Sequence, residues 1–339
     1  MKVATHHISA LEALGYTTAE AGFLYLVATY SGYFLPRQFI AFTQASSGKR
    51  SHLFTDKLES CGHATWREYL KVGGVYHLCS KTLYRRIDRE NLRNRRRHST
   101  EFIRTRLILL DFILANQGHQ YLETEQEKLN YFCREKSVPR TVLPAKSYKG
   151  VSTAEPTVRY FVDNFPLFLD SSQSPGAPVL TLSYVDPGKA RLAGFRNHLR
   201  AYTPLFRHLG DFQFLYISNS SVHFMRAEEC FTSQVTTSLQ QSASLELIRY
   251  FRLRAAWDAK QYGKLSNEDI EWLERSNLRF KNQDIEHLYG SWVASKLTDE
   301  ELRLQSGESV ARHSIRFATH LIDTGPVQRK MARPHPRQT

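Results

Sequence analysis

What this sequence has little of sets the first limits. Its 339 residues hold four cysteines, Cys61, Cys79, Cys133 and Cys230, and no C-x-x-C pair. That spacing provides neither a zinc knuckle nor a disulfide framework, so reduced thiols are expected. No apolar run approaches the ~18 residues of a membrane-spanning helix. The opening MKVATHHISALEALGY has no apolar signal core, so a cytoplasmic protein with no membrane partner is expected. His6-His7 in that stretch reads as a disordered pair rather than a ligand set. Walker, G-x-G-x-x-G, H-E-x-x-H and G-x-S-x-G motifs are missing, and no internal repeat is visible. Acidic residues are also scarce: 33 Asp and Glu face 46 Lys and Arg, a formal charge of +13 and a pI near 9.6. Such a surplus favours a polyanion, most often nucleic acid. It could also suit an anionic membrane surface, and a soluble protein from a basic-leaning proteome is the plain alternative.

What is present can build cores. Hydrophobic residues make up 41% and aromatics 12%, which argues against disorder, and the length suggests two or three domains. In GYTTAEAGFLYLVATYSGYF, Thr17 and Glu20 form a capping-box pattern, and Phe23, Leu24, Val27 and Tyr30 share a helical face. LPRQFIAFTQ follows, with Pro36 suited to a first turn and Phe39, Ile40 and Thr43 facing inward. In SSGKRSHLFTDKLESCG, Leu53, Phe54 and Leu58 repeat at helical spacing, while Lys49, Arg50 and Lys57 point elsewhere beside Ser51 and His52. Gly62 fits a helix end. HATWREYL and VYHLCS are rich in β-formers, and Gly73-Gly74 favours a tight hairpin turn. Helix, helix, helix, hairpin is the order of a winged helix-turn-helix over about Leu11 to Ile87. In that fold the third helix enters the major groove and the hairpin touches the neighbouring backbone. Many winged helices bind only protein, and Trp66, Tyr69, Tyr76 and Leu78 read as core or hairpin-stacking residues.

YRRIDRENLRNRRRHSTEFIRTRLILLDFILANQG carries Arg93, Arg95, Arg96 and Arg97 in one cluster, with Arg85, Arg86, Arg89, Arg104 and Arg106 around it. Such a run can neutralise several phosphates; a solvated helix face is the plainer reading. Ser99 or Thr100 caps a further helix with a stripe of Phe102, Ile103, Leu107, Leu110 and Ile113. That helix could pack on the module or on a second copy, which makes a homodimer one expected arrangement. TEQEKLNYFCREKSV reads as a short helix. The proline-bearing PRTVLPAKSYKGVSTAEPT marks a domain boundary.

Beyond it, TVRYFVDNFPLFLD, APVLTLSYVDPG, DFQFLYISNS and VHFMRAEE read as strands and ARLAGFRNHLRAYTPLFRHLG as a helix, the pattern of an α/β domain with a central mixed sheet. The segments FLYLVATYSGYFLPRQF and LFTDKLESCGHA, with LSYVDPG ahead of HLRAYTPLF, resemble the replication-relaxation family of plasmids and integrative elements. The likeness spans about two thirds of the chain and rests on residue classes rather than an invariant signature. It implies a winged-helix protein with a degenerate restriction-endonuclease-like domain.

Nucleases of that type hold Mg²⁺ between two acids and place a lysine by the attacking water. Asp163 or Asp170 could be the first acid, but no acid-x-Lys follows in register. A shifted site of Asp170, Asp186 and Lys189 is the best remaining candidate, against Asp186-Pro187-Gly188 as turn chemistry. Tyr202, a conceivable nucleophile, reads as core. Helices are expected in SLELIRYFRLRAAWDAKQY, in LSNEDIEWLERSNLRF with a Ser266/Asp269 capping box, and in DIEHLYGSWVASKL.

The expected architecture is α+β. A winged-helix DNA-binding domain (1–90) leads to a basic helical connector and linker (91–150). A small nuclease-like, non-catalytic α/β domain (151–235), a helical C-terminal region (236–325) and a disordered basic tail (326–339) follow. The expected function is binding of double-stranded DNA through Lys49, Arg50, Ser51, Lys57, Arg67, Lys71, Arg93, Arg95, Arg96 and Arg97. The resemblance alone implies a role in replication, maintenance or transcriptional regulation of a bacterial mobile element, with replication or conjugation proteins as further partners. No enzyme activity, cofactor or metal is expected. A Mg²⁺-dependent nuclease and a protein-binding adaptor are the alternatives.

Overall fold

The computed structural model describes residues 3–44, 48–69, 73–148, 156–171, 178–188, 192–302 and 315–323. The chain is an α+β protein whose largest sheet is mixed. His6 and His7 lie in a helix, α1 (Thr5–Glu12), contrary to the expected disorder. The capping box forms as read: Glu20 N–H donates to the Thr17 hydroxyl and Thr17 N–H to the Glu20 carboxylate, starting α2 (Thr18–Leu26). A π-helical segment, Val27–Ser31, extends α2 and stops at Gly32, whose φ of +77° suits glycine. Next come β1 (Tyr33–Phe34), α3 (Pro36–Thr43), α4 (Gly48–Ser60), β2 (Ala64–Tyr69) and β3 (Gly73–Leu78).

The three strands form an antiparallel sheet in the order β1-β3-β2. Gly73 and Gly74 are not the turn. They pair with Tyr69 and Glu68 inside β3, and the connecting residues lie outside the described residues. Gly74 has another reason to lack a side chain: a Cβ there would sit 2.5 Å from Trp66 Nε1. Phe23, Phe34, Phe39 and Phe54 are fully buried between the helices and this sheet.

The chain then runs through α5 (Lys81–Arg86) into α6 (Thr100–Ala115), capped by Ser99. Sequence suggested one apolar stripe on α6, packed on the module or on a second copy, and the first of these is what forms, with more of the helix covered than one stripe. Ile103, Leu107, Ile108, Leu109, Leu110, Phe112 and Ile113 are all buried. One side packs on the N-terminal module and the other on the large sheet, where Phe112 meets Phe168 and His320. The face that argued for a dimer is therefore already covered within the chain. Arg37 and Asp111 form a bidentate pair (2.9 and 2.7 Å), and Gln38 donates to the Leu107 carbonyl and to Asp111, tying α3 to α6.

Past β4 (Gln120–Tyr121), α7 (Glu125–Leu129) continues as a π-helical segment, Asn130–Glu135. The stretch expected to be linker pairs β5 (Ala145–Tyr148) with β6 (Thr157–Tyr160) in an antiparallel hairpin. TVRYFVDNFPLFLD is thus two strands, not one. A turn with Phe161 and Asn164 in left-handed conformations separates β6 from β7 (Leu167–Asp170). β8 (Val179–Asp186), α8 (Ala193–Phe206) and β9 (Phe212–Ser218) follow as anticipated.

VHFMRAEE contains the start of a helix, α9 (Phe224–Phe231), rather than a strand. Ala227, Cys230 and Phe231 recur at helical spacing and are the residues it buries. Then come α10 (Thr237–Asp258), α11 (Asn267–Phe280), α12 (Gln283–Val293) and β10 (Ile315–Leu321). The large sheet has the order β10-β9-β8-β7-β4, with β8, β9 and β10 parallel and β7 antiparallel to both β8 and β4. It draws strands from outside the expected 151–235 domain, because sheet membership depends on long-range pairing. Alternation divides its faces: Val185, Leu215 and Ile217 meet the α6 side, and Leu182, Tyr184, Phe214 and Tyr216 meet α8 and α9. α10 to α12 keep a separate small core. Among the described residues no helix is long and apolar enough to cross a membrane.

Candidate nucleic-acid interface

The first turns of α4 carry Lys49 and Arg50, both exposed, as are His52 and Leu53. Phe54, Thr55 and Leu58 face inward because they repeat at three- and four-residue spacing. Ser51 also faces inward: it is 3% exposed and its hydroxyl meets no partner. It cannot contact DNA as expected. Lys57 is likewise committed elsewhere. Its ammonium lies 2.8 Å from the Glu20 carboxylate and over the Tyr16 ring, pinning α4 to the start of α2. Thr65, Trp66, Arg67 and Glu68 are exposed on β2, an edge strand. Lys71 lies outside the described residues.

The arginine run is anchored by a residue that carries no charge. Arg93–Arg95 form one 3₁₀ turn, and Asn94 at its centre is buried. The Asn94 amide donates to the carbonyls of Ala28 (3.0 Å) and Thr29 (3.1 Å), in the π-helical segment. Its own carbonyl accepts from His77 Nε2 at 3.0 Å. Tyr33 stacks flat on His77 (centroids 4.3 Å apart) and donates its hydroxyl to the Arg96 carbonyl at 2.9 Å.

Gly32 completes the seat, since a Cβ there would lie 2.3 Å from the Asn94 carbonyl oxygen. Arg93, Arg96 and Arg97 emerge from this seat exposed. Arg93 lies over the Tyr148 ring (4.3 Å), and half-buried Arg95 donates weakly to the Glu90 carbonyl at 3.4 Å.

Electrostatics join the hairpin to this run. Burial pushes the Tyr33 hydroxyl up to about 12, while Arg67 and Arg97 both pull it back. Burial lowers the His77 imidazole, and His98, Arg97 and Arg67 push it the same way. A neutral His77 that donates from Nε2 fits that balance. Arg67 of β2 and Arg97 of the connector therefore act on the same two rings, though 30 positions separate them.

A second polar cluster lies deeper. Asp163, in the turn before β7, accepts from Tyr202 (3.1 and 3.2 Å) and from His198 Nδ1 (2.9 Å) on α8. Burial works against its charged form, but the His198 contact, Lys128 and Tyr202 hold its carboxyl below the ordinary value. Lys128, buried to 3% exposure, donates to Asn164 Oδ1 (3.2 Å), and burial depresses its ammonium to about 8. Buried Arg106 donates to the carbonyls of Asp163 (2.8 Å) and Asn164 (3.2 Å). An Asp-His pair can act as a general base, but His198 Nε2 is sealed and unpartnered, and no substrate could reach it. Tyr202 is core, as read. The sequence carried no signal for Lys128, His198 or Asn94, because each partner comes from a distant segment.

The shifted nuclease site is not assembled. Asp170 pairs with Val179 at one end of β8 and Asp186 closes the other. Seven residues of strand separate them by roughly 23 Å, too far for one metal ion. Asp170 instead faces His119 (3.5 Å), and Asp186 accepts from Tyr216 and from the Gly188 N–H. Lys189 lies outside the described residues, as does the basic tail 326–339. Compared with protein-family models, curated proteins and solved structures, the chain gives no match.

Proposed function

We propose that this chain binds double-stranded DNA through its N-terminal module, used as a winged helix. The order α2, β1, α3, α4, β2, β3 supports that reading. One observation carries it furthest: Asn94 binds the carbonyls of Ala28 and Thr29 and meets His77 of the hairpin, and this seat leaves Arg93, Arg96 and Arg97 exposed. A fixed seat that leaves several guanidinium groups exposed suits a phosphate backbone. Lys49 and Arg50 open α4, the helix that would enter the major groove. The mixed-sheet domain serves as a scaffold, and no reaction is assigned to it. A role in the replication, maintenance or regulation of a mobile element is the part of this reading that rests on the sequence resemblance to the replication-relaxation family alone.

Fluorescence anisotropy with a random-sequence duplex across a salt series tests the reading. Lys49, Arg50, Arg67, Arg96 and Arg97 are exposed. If each contacts one phosphate, log K falls with log salt at a slope of about −4.5. Lys49→Ala/Arg50→Ala and Arg67→Ala/Arg97→Ala should each make the slope shallower by about 2. A slope unchanged in both double variants moves the contact elsewhere. No binding at low salt removes the DNA reading and leaves a protein-binding module, for which Leu53 (63% exposed) would be the first contact to test.

A further inference from the structure

His6 and His7 open α1, and Asp88 follows α5, 81 positions later. One ring nitrogen of each histidine and one carboxylate oxygen of Asp88 lie within 4.8 Å of one another. No other three His, Cys, Asp or Glu side chains come so close among the described residues. The His7 ring is 7% exposed and its Nδ1 is sealed from solvent with no hydrogen-bond partner. Tyr25 stacks on that ring at 5.1 Å, and the His6 ring sits 3.9 Å from it.

Asp88 adopts a left-handed conformation (φ +56°), which aspartate and asparagine tolerate better than most residues, in the turn after α5. The nearby Arg89 guanidinium is already paired with Glu123 at 3.1 Å and bonded to the Tyr25 hydroxyl at 3.0 Å. Its charge is therefore largely compensated before any cation arrives.

We infer that His6, His7 and Asp88 form a binding site for a divalent transition-metal cation of the zinc class. Two imidazoles are borderline donors, and with one carboxylate they suit Zn²⁺ and disfavour Mg²⁺ or Ca²⁺, which prefer oxygen alone. Three protein ligands leave a fourth position to water. A tetrahedral zinc at about 2.0–2.1 Å sets donor separations of roughly 3.4 Å. His6 and Asp88 are exposed, so their side chains can rotate to close that distance while His7 stays fixed by packing. The bound ion would fasten α1 to the segment that leads into Arg93–Arg97. This site rests on its own geometry and is independent of the DNA reading.

The test uses the full-length chain without an affinity tag, stripped with chelator and titrated with Zn²⁺ against a competing dye. Co²⁺ uptake is read in parallel by its visible absorption. Wild type should take up one equivalent. His6→Gln and Asp88→Asn should each lose about tenfold or more in affinity. Both positions are exposed, and asparagine tolerates the left-handed conformation, so circular dichroism and the melting temperature without metal should not change. Zn²⁺ should raise the melting temperature of wild type and of neither variant. No stoichiometric uptake by wild type overturns the site. Uptake unchanged in both variants also overturns it, because the ion would then sit on other histidines or on the free thiols.

Discussion

Lys128 offers a quantitative test of the buried network that joins α6, α7, the turn before β7 and α8. Its ammonium is depressed from 10.5 to about 8, with burial as the largest cause and the Asp163 charge opposing it. Between those values the unfolded chain keeps a proton that the folded chain has shed. Stability must therefore rise with pH across that interval, and below pH 8 the buried charge costs its full amount. The difference of 2.5 units, 10.5 minus 8, at about 1.4 kcal/mol each, bounds that cost near 3 kcal/mol. From pH 7.5 to 9.5 the gain should be on the order of 2 kcal/mol.

Groups at the upper edge of this window also respond: burial lowers the Arg106 guanidinium to about 10 and raises the hydroxyls of Tyr25, Tyr30, Tyr84 and Tyr202 above their ordinary 10. Burial lowers the imidazoles of His7, His63, His77 and His320 below 6.5, and it raises the Tyr33 hydroxyl to about 12. Lys128→Met keeps an unbranched side chain one atom shorter and removes the titrating amine. Urea unfolding of both proteins from pH 7.5 to 9.5 isolates the effect, because shared titrations cancel in the difference. Across that range wild type should gain on the order of 2 kcal/mol relative to the variant. The same rise in Lys128→Met would show that the ammonium is not held as described.

Two further outcomes follow from the seat of the arginine run. Asn94→Ala leaves the carbonyls of Ala28 and Thr29 without their buried donor and should cost about 1–3 kcal/mol by urea denaturation. It should also weaken duplex binding in the salt series although no charge is lost, and unchanged affinity would separate the seat from the contact. Gly32→Ala meets the Asn94 carbonyl at 2.3 Å from a φ of +77°, a backbone clash that no rotamer relieves. It should cost at least about 3 kcal/mol by the same measurement, and a loss below about 1 kcal/mol would mean that the connector is not seated there.

The local signals in this sequence were sufficient for much of the N-terminal module. The Thr17/Glu20 box, Pro36, the Ser99 cap and the Ser266/Asp269 box each start a helix where they stand, because capping joins residues three apart. Periodicity likewise placed β8, α8 and β9. It erred at α9, where a short aromatic-rich stretch suits either period, and at β6 and β7, where the intervening turn has no glycine.

Long-range pairing decided the rest. Charge in the sequence marked Lys57, Arg93 and Arg97 alike, and only packing shows that Lys57 pairs with Glu20 while Arg97 faces outward. Asp170 and Asp186 look like neighbours in the sequence and stand at opposite ends of one strand. Asn94, Lys128 and the His6–His7–Asp88 group take their meaning from partners 17 to 82 positions away. A side chain's charge is set by its own chemistry, but its availability depends on which distant groups the fold brings within about 3 Å.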